Sequence, residues 1–172
     1  DRGNLAVTGA ASFITGASGS NIILDASGNA FSNAVTLQAD DGSETFGDIT
    51  FIDSGAVRLH SSAGANGDLY INAATDATVG GNLNVTATTG NITQGRVVVV
   101  SGTSSFTTSA NNATITLDNA NAFTGAIVLN TNGSTGHAEV DGGTTQLDIA
   151  ASTVGGNLTL TSGHATGITD SG

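Results

Sequence analysis

Apolar residues alternate with polar ones in short bursts along the whole chain. In Val35–Leu37, Leu83–Val85 and Ile115–Leu117, two aliphatic side chains flank one polar residue. Gly, Asn, Ser and Asp fill the gaps between bursts, as expected for turns. The alternation predicts β-strands of about three to five residues that recur roughly every 8–14 residues. We find no stretch with helical spacing of apolar residues, so we expect an all-β fold.

Long segments of this pattern occur twice. The segment Val7-Thr-Gly-Ala-Ala-Ser-Phe13 is similar to Val100-Ser-Gly-Thr-Ser-Ser-Phe106, which lies 93 positions later (7 to 100). Within the same block, Asn29-Ala-Phe31 matches Asn121-Ala-Phe123. Long repeats built from strand-sized units favour a solenoid over other all-β folds.

A second pair of similar segments lies near the end of each copy. Thr78-Val-Gly-Gly-Asn-Leu-Asn-Val-Thr86 matches Thr153-Val-Gly-Gly-Asn-Leu-Thr-Leu-Thr161, 75 positions later (78 to 153). We therefore divide the chain into a first long repeat, 1–94, and a second, 95–172. The first copy is longer by an extra rung near 67–80.

The predicted fold is a right-handed parallel β-helix, in which both repeats form one continuous solenoid. At roughly 20–25 residues a coil, the chain would make about eight coils stacked at the strand spacing of ~4.8 Å. The absence of proline agrees with this prediction, because interior rungs use every backbone N–H group. A β-sandwich is the alternative.

The charge and composition exclude several classes of partner. The net charge is −11, and the chain has three arginines and no lysine, so we expect no binding to nucleic acid. No apolar run approaches the ~18 residues of a membrane-spanning helix, so we expect no membrane insertion. Without cysteine there is neither a disulfide framework nor a thiolate metal site.

Three stretches resemble the repeats of filamentous-haemagglutinin-type large adhesins. They are Gly81-Asn-Leu-Asn-Val-Thr-Ala-Thr-Thr-Gly-Asn-Ile-Thr-Gln94, Asn119-Ala-Asn-Ala-Phe-Thr-Gly-Ala-Ile-Val-Leu129 and Ser152-Thr-Val-Gly-Gly-Asn-Leu-Thr-Leu-Thr161. The resemblance implies a β-helical rod that a Gram-negative bacterium secretes, often by a two-partner pathway, and displays on its surface. The two repeats look like part of a shaft, since we see no match to the family's secretion domain or to a receptor-binding tip.

The resemblance implies a mechanical function in cell adhesion or in matrix and biofilm assembly. The expected partners are neighbouring repeats or identical subunits stacked end to end, and host or cell-surface glycans or proteins. A glycan- or Ca²⁺-binding module of the cell surface is the alternative function. We do not expect an enzyme: β-helical pectin hydrolases use an Arg-x-Lys element, and this chain has no lysine.

Two groups of polar residues are candidate sites. Asp40, Asp41, Glu44 and Asp48 supply hard oxygen ligands at short spacing, with Asp53 nearby, so they form either a weak calcium site or a solvated loop. No other cofactor is expected. Asn4, Asn82 and Asn157 each precede a leucine at the start of a predicted strand. We expect these asparagines to form a structural ladder that satisfies polar groups at the corners of the solenoid.

Overall fold

The computed structural model is a β-solenoid of about six turns. It describes residues 1–39, 47–60, 68–71 and 77–172. Every regular element in these ranges is a β-strand. The strands are β1 (Ala6–Val7), β2 (Ala11–Thr15), β3 (Ile22–Leu24), β4 (Ala30–Phe31), β5 (Val35–Ala39), β6 (Ile49–Asp53), β7 (Val57–His60), β8 (Asp68–Ile71), β9 (Ala77–Val79), β10 (Leu83–Ala87), β11 (Ile92–Gln94), β12 (Val98–Val100), β13 (Ser104–Asn111), β14 (Ile115–Leu117), β15 (Ala122–Phe123), β16 (Ile127–Asn132), β17 (Ala138–Asp141), β18 (Leu147–Ile149), β19 (Leu158–Thr161) and β20 (Ile168–Asp170).

The strands form four parallel sheets that run along the solenoid. Sheet I has the order β3-β6-β10-β13-β16-β18-β20, and sheet II the order β2-β5-β8-β7-β11-β14-β17-β19. Sheet III contains β9-β12-β15, and sheet IV contains β1-β4. All the pairings described are parallel, which confirms the solenoid and excludes the antiparallel sandwich.

The number of turns is smaller than the predicted eight. Stacked positions in sheet I are separated by more residues than expected in the first half of the chain: Ile22 pairs with Ile49, 27 residues on, and Ile49 with Leu83, 34 residues on. Part of the longer interval is used by β8, which follows β7 in the chain yet lies between β5 and β7 in sheet II. Of the expected extra rung, β8 thus adds a strand to sheet II, and β9 lies in sheet III.

Alternation along each strand builds the core. In β6 the side chains of Ile49, Phe51 and Asp53 are buried, while those of the two residues between them are partly exposed. The same alternation in the other strands forms one apolar column, which the phenylalanines thicken at two levels. Phe31 and Phe51 stack with ring centroids 5.4 Å apart, and Phe106 meets Phe123 edge to face at 6.0 Å.

Equivalent strands of the two sequence repeats lie on opposite sides of the solenoid. The strands β1, β2 and β3 lie in sheets IV, II and I, whereas their counterparts β12, β13 and β14 lie in sheets III, I and II. Sheet IV lies on the path from sheet I to sheet II, since β4 connects β3 to β5. Sheet III lies on the return path, since β12 connects β11 to β13. The second copy is therefore turned by about half a revolution about the solenoid axis.

Candidate functional site

The acidic cluster is only partly visible. Asp40, Asp41 and Glu44 lie outside the described residues. Asp48 and Asp53 are described, and they stand immediately before β6 and at its last position. Within the described ranges, no group of three or more His, Asp or Glu side chains is placed to hold a metal ion. The calcium site stays a prediction.

Asp48 belongs to a stack of hydrogen bonds at the corner before sheet I. Its backbone N–H donates to Asn21 Oδ1 (2.8 Å), and its own Oδ1 accepts the N–H of Asn82 (2.8 Å). Asn82 Oδ1 in turn accepts the N–H of Thr103 (2.8 Å). One side-chain oxygen from each rung thus satisfies a backbone N–H of the next, over four rungs. This carboxylate stabilises the solenoid whether or not it also binds an ion.

The three asparagines of the expected ladder do not stack on one another. Asn82 precedes β10 in sheet I, Asn157 precedes β19 in sheet II, and Asn4 lies just before β1 in sheet IV. Asn157 donates its backbone N–H to His137 Nδ1 (2.7 Å). The half-turn between the repeats explains the separation of Asn82 from Asn157, because it carries the same Gly-Asn-Leu motif to the opposite corner. Of the three, only Asn82 belongs to the stack before sheet I.

Asn121, which is 1% exposed, forms a second set of hydrogen bonds between neighbouring rungs, which we call the Asn121 staple. Its Oδ1 accepts the N–H of Val98 and an amide N–H of Gln94, both at 2.8 Å. Its Nδ2 donates to the carbonyl oxygens of Leu117 and Asp141 and to Gln94 Oε1, each at 3.0 Å. Its counterpart Asn29 is also buried, and Asn29 Oδ1 accepts a backbone N–H from the preceding rung, that of residue 5 (2.8 Å). The Asn-Ala-Phe motif, which occurs in both repeats, marks these two asparagines in the sequence. The alternation of apolar and polar residues does not predict that they are buried.

Asp53 is a buried carboxyl group in the described part of the chain. It is 3% exposed, and its Oδ1 accepts the N–H of Phe31 at 3.1 Å. Burial raises the pKa of Asp53, while hydrogen bonds from the backbone of Phe31, Gly55 and Ser54 oppose the rise. The charged form is therefore disfavoured here, and the group fastens sheet IV to the end of β6.

The large exposed apolar side chains of the described residues lie in the first and last coils. They are Ile14, Ile23, Leu158 and Ile168. At the C-terminal end, Leu158 also lines an open groove of about 440 Å³, together with Ile149, Ser152 and Asp170. Ile14 and Ile23 point outward from their strands, whereas Leu158 and Ile168 are in register with the buried Ala138 and Leu147, so core positions are uncovered in the last coil.

The fold and these stacks define a β-solenoid repeat protein. The chain belongs to the DUF5649 family, described as repeats of unknown function, whose model matches residues 1–38 and 42–130. Comparison with curated proteins and with solved structures finds no significant match. No helix in the described ranges is long and apolar enough to cross a membrane.

Proposed function

We propose that this chain is a structural shaft segment of a secreted bacterial surface adhesin or extracellular filament, and that it acts mechanically rather than as a catalyst. The observation that carries the proposal is the use of its polar side chains. Asp48, Asn82 and Asn121 each bind the backbone of a neighbouring rung, so they strengthen cohesion along the axis. The resemblance to adhesin repeats supplies the cell-surface setting.

The shape of the fold supports the same function. About six turns at ~4.8 Å give a segment roughly 29 Å long. Its core is continuous, since buried apolar residues extend from Ile22 in the first coil to Ile149 near the last. Such a segment would place a distal binding site further from the cell, and would link cells or matrix when many segments are joined.

Electron microscopy of the native full-length protein tests this proposal. We expect rods about 2–3 nm thick, since two packed sheets with their side chains span that width. Deleting residues 1–172 should shorten the rod by about 3 nm and reduce adhesion or biofilm mass, while replacing them with a second copy of a neighbouring repeat should restore both. Globular particles, or a rod of unchanged length after the deletion, would contradict the proposal.

A further inference from the structure

In the first and last coils, apolar residues that pack against the core are only partly buried. The partly buried apolar residues that pack against the core are Leu5, Val7, Ala11, Phe13, Val154 and Leu160. The first four belong to the first coil and the last two to the last coil. Strands β2 and β3 are at one end of sheets II and I, and β19 and β20 are at the other. Each end therefore presents open strand edges around an apolar centre.

The junction between the two repeats shows how such ends fit together. The last coil of the first repeat contains β9, β10 and β11, and the first coil of the second contains β12, β13 and β14. These strands pair one to one, with Val79 opposite Val100, Val85 opposite Phe106 and Ile92 opposite Ile115. The junction thus joins three strand pairs in one defined register.

The first and last coils are the sequence counterparts of the two halves of that junction. Ser152–Val154, β19 and β20 correspond to β9, β10 and β11, while β1, β2 and β3 correspond to β12, β13 and β14. Burial differs between these counterparts. Leu158 and Ile168 are each 45% exposed, whereas their counterparts Leu83 and Ile92 are 0% exposed because the next coil covers them.

We infer that a second copy of this chain docks head to tail on the C-terminal coil, in the register of the internal junction. The inference rests on the proposed shaft function and names its partner. Strand β19 of one copy pairs with β2 of the next, which places Leu160 on Phe13 as Val85 lies on Phe106. Strand β20 pairs with β3, which places Ile168 on Ile22 as Ile92 lies on Ile115.

The sheet assignments agree with this register. The pairs β19/β2 and β20/β3 each join two strands of the same sheet, II and I respectively. Two successive half-turns amount to a full turn, so the sheets of one copy continue into those of the next. The lateral surface of the resulting rod would repeat once per chain, and equivalent strands of the two internal repeats would lie on opposite sides.

Cysteine cross-linking tests the register, because the chain has no native cysteine. In the inferred junction Ser12 lies opposite Thr159, as Ser105 lies opposite Asn84, and Ile14 lies opposite Thr161, as Thr107 lies opposite Thr86. Ser12, Thr159, Ile14 and Thr161 are exposed, so single cysteine variants should fold normally. Paired positions on neighbouring strands fall within the Cα separation that a disulfide accepts, whereas positions offset by two residues exceed it.

The experiment mixes Ser12→Cys with Thr159→Cys, one of them isotopically labelled, at millimolar concentration in 1 M salt under mild oxidation. High salt screens the repulsion between two chains of net charge −11. We expect labelled–unlabelled dimers at least tenfold more abundant than from the offset mixture of Ile14→Cys with Thr159→Cys. The mixture of Ile14→Cys with Thr161→Cys should match the first.

Equal yields from paired and offset mixtures would overturn the inference. So would the absence of cross-linked dimers from variants whose circular dichroism shows them folded. Neither result bears on the rod shape that electron microscopy measures on the native full-length protein. Failure of the docking register is therefore distinguishable from failure of the shaft function.

Discussion

Replacing Asn121 with alanine should destabilise the solenoid more than the same replacement of an exposed asparagine does. The side chain contacts three levels of the structure: it binds Val98 and Gln94 on one side, Leu117 within its own coil, and Asp141 on the other side. Asn121→Ala removes all five side-chain hydrogen bonds at once, including the one from Nδ2 to Gln94 Oε1. The buried N–H of Val98 loses its acceptor at 2.8 Å, and two carbonyl oxygens lose a donor.

The magnitude follows from the cost of unsatisfied buried groups. An unpaired buried donor or acceptor costs about 1–3 kcal/mol. The N–H of Val98 dominates, because an N–H makes one bond whereas each carbonyl oxygen of Leu117 and Asp141 keeps a second lone pair. We expect a loss of roughly 2–4 kcal/mol in the free energy of unfolding. For a chain of this length, that lowers Tm by roughly 5–15 °C.

Urea unfolding followed by circular dichroism measures this loss, with two matched controls. Asn84→Ala changes an exposed asparagine on β10 and should cost less than about 0.5 kcal/mol. Asn29→Ala changes the counterpart of Asn121, whose Oδ1 accepts one backbone N–H and whose Nδ2 is buried without a partner in the described structure. Its cost should be about 1 kcal/mol. If Asn121→Ala costs no more than Asn84→Ala, the staple is not what holds these rungs together.

Three further substitutions test other parts of the account. Gly102→Ala should lower the free energy of unfolding by about 1–3 kcal/mol, because the new Cβ would lie 2.7 Å from the carbonyl oxygen of Gly81. Gly9→Ala is the control: a Cβ there meets nothing within 4 Å, so this variant should be neutral. Thermal unfolding of both variants measures the difference. Ser104→Ala should raise stability by about 1 kcal/mol in urea unfolding, because the buried hydroxyl has no hydrogen-bond partner in the described structure; a loss would show that it has one. Because the pKa of Asp53 is raised, the folded chain binds this proton more tightly than the unfolded chain does. The free energy of unfolding should therefore fall as pH rises from the ordinary carboxyl pKa through that of Asp53, and Asp53→Asn should remove this fall. Parallel curves of stability against pH for the two proteins would contradict this prediction.

The sequence predicts the type of fold because the alternation of side chains is local. The strand segment Leu83–Val85 buries two aliphatic residues and exposes the one between them, and parallel stacking follows from repetition of that unit. The number of turns was less accessible. It depends on how many residues each corner uses, and the intervals from Ile22 to Ile49 and from Ile49 to Leu83 differ widely.

The angular relation between the repeats also depends on how many residues each corner uses, so it could not be predicted from the sequence. A similarity between Leu83 and Leu158 identifies equivalent positions, but it does not say on which sheet each one lies. The structure places them on sheets I and II, and this separates Asn82 from Asn157. The polar stack before sheet I instead combines different residue types, Asn21, Asp48 and Asn82, because only an oxygen at the right height is needed.

Small-angle X-ray scattering of tandem copies tests the central claim most directly. Chains carrying two and four copies of residues 1–172 should differ in maximum dimension by about 60 Å, since each copy adds about six turns at ~4.8 Å. Their cross-sectional radius should stay the same. A radius of gyration that grows only as the compact-domain law, roughly as N^0.38, would contradict the account of this chain as an axial shaft segment.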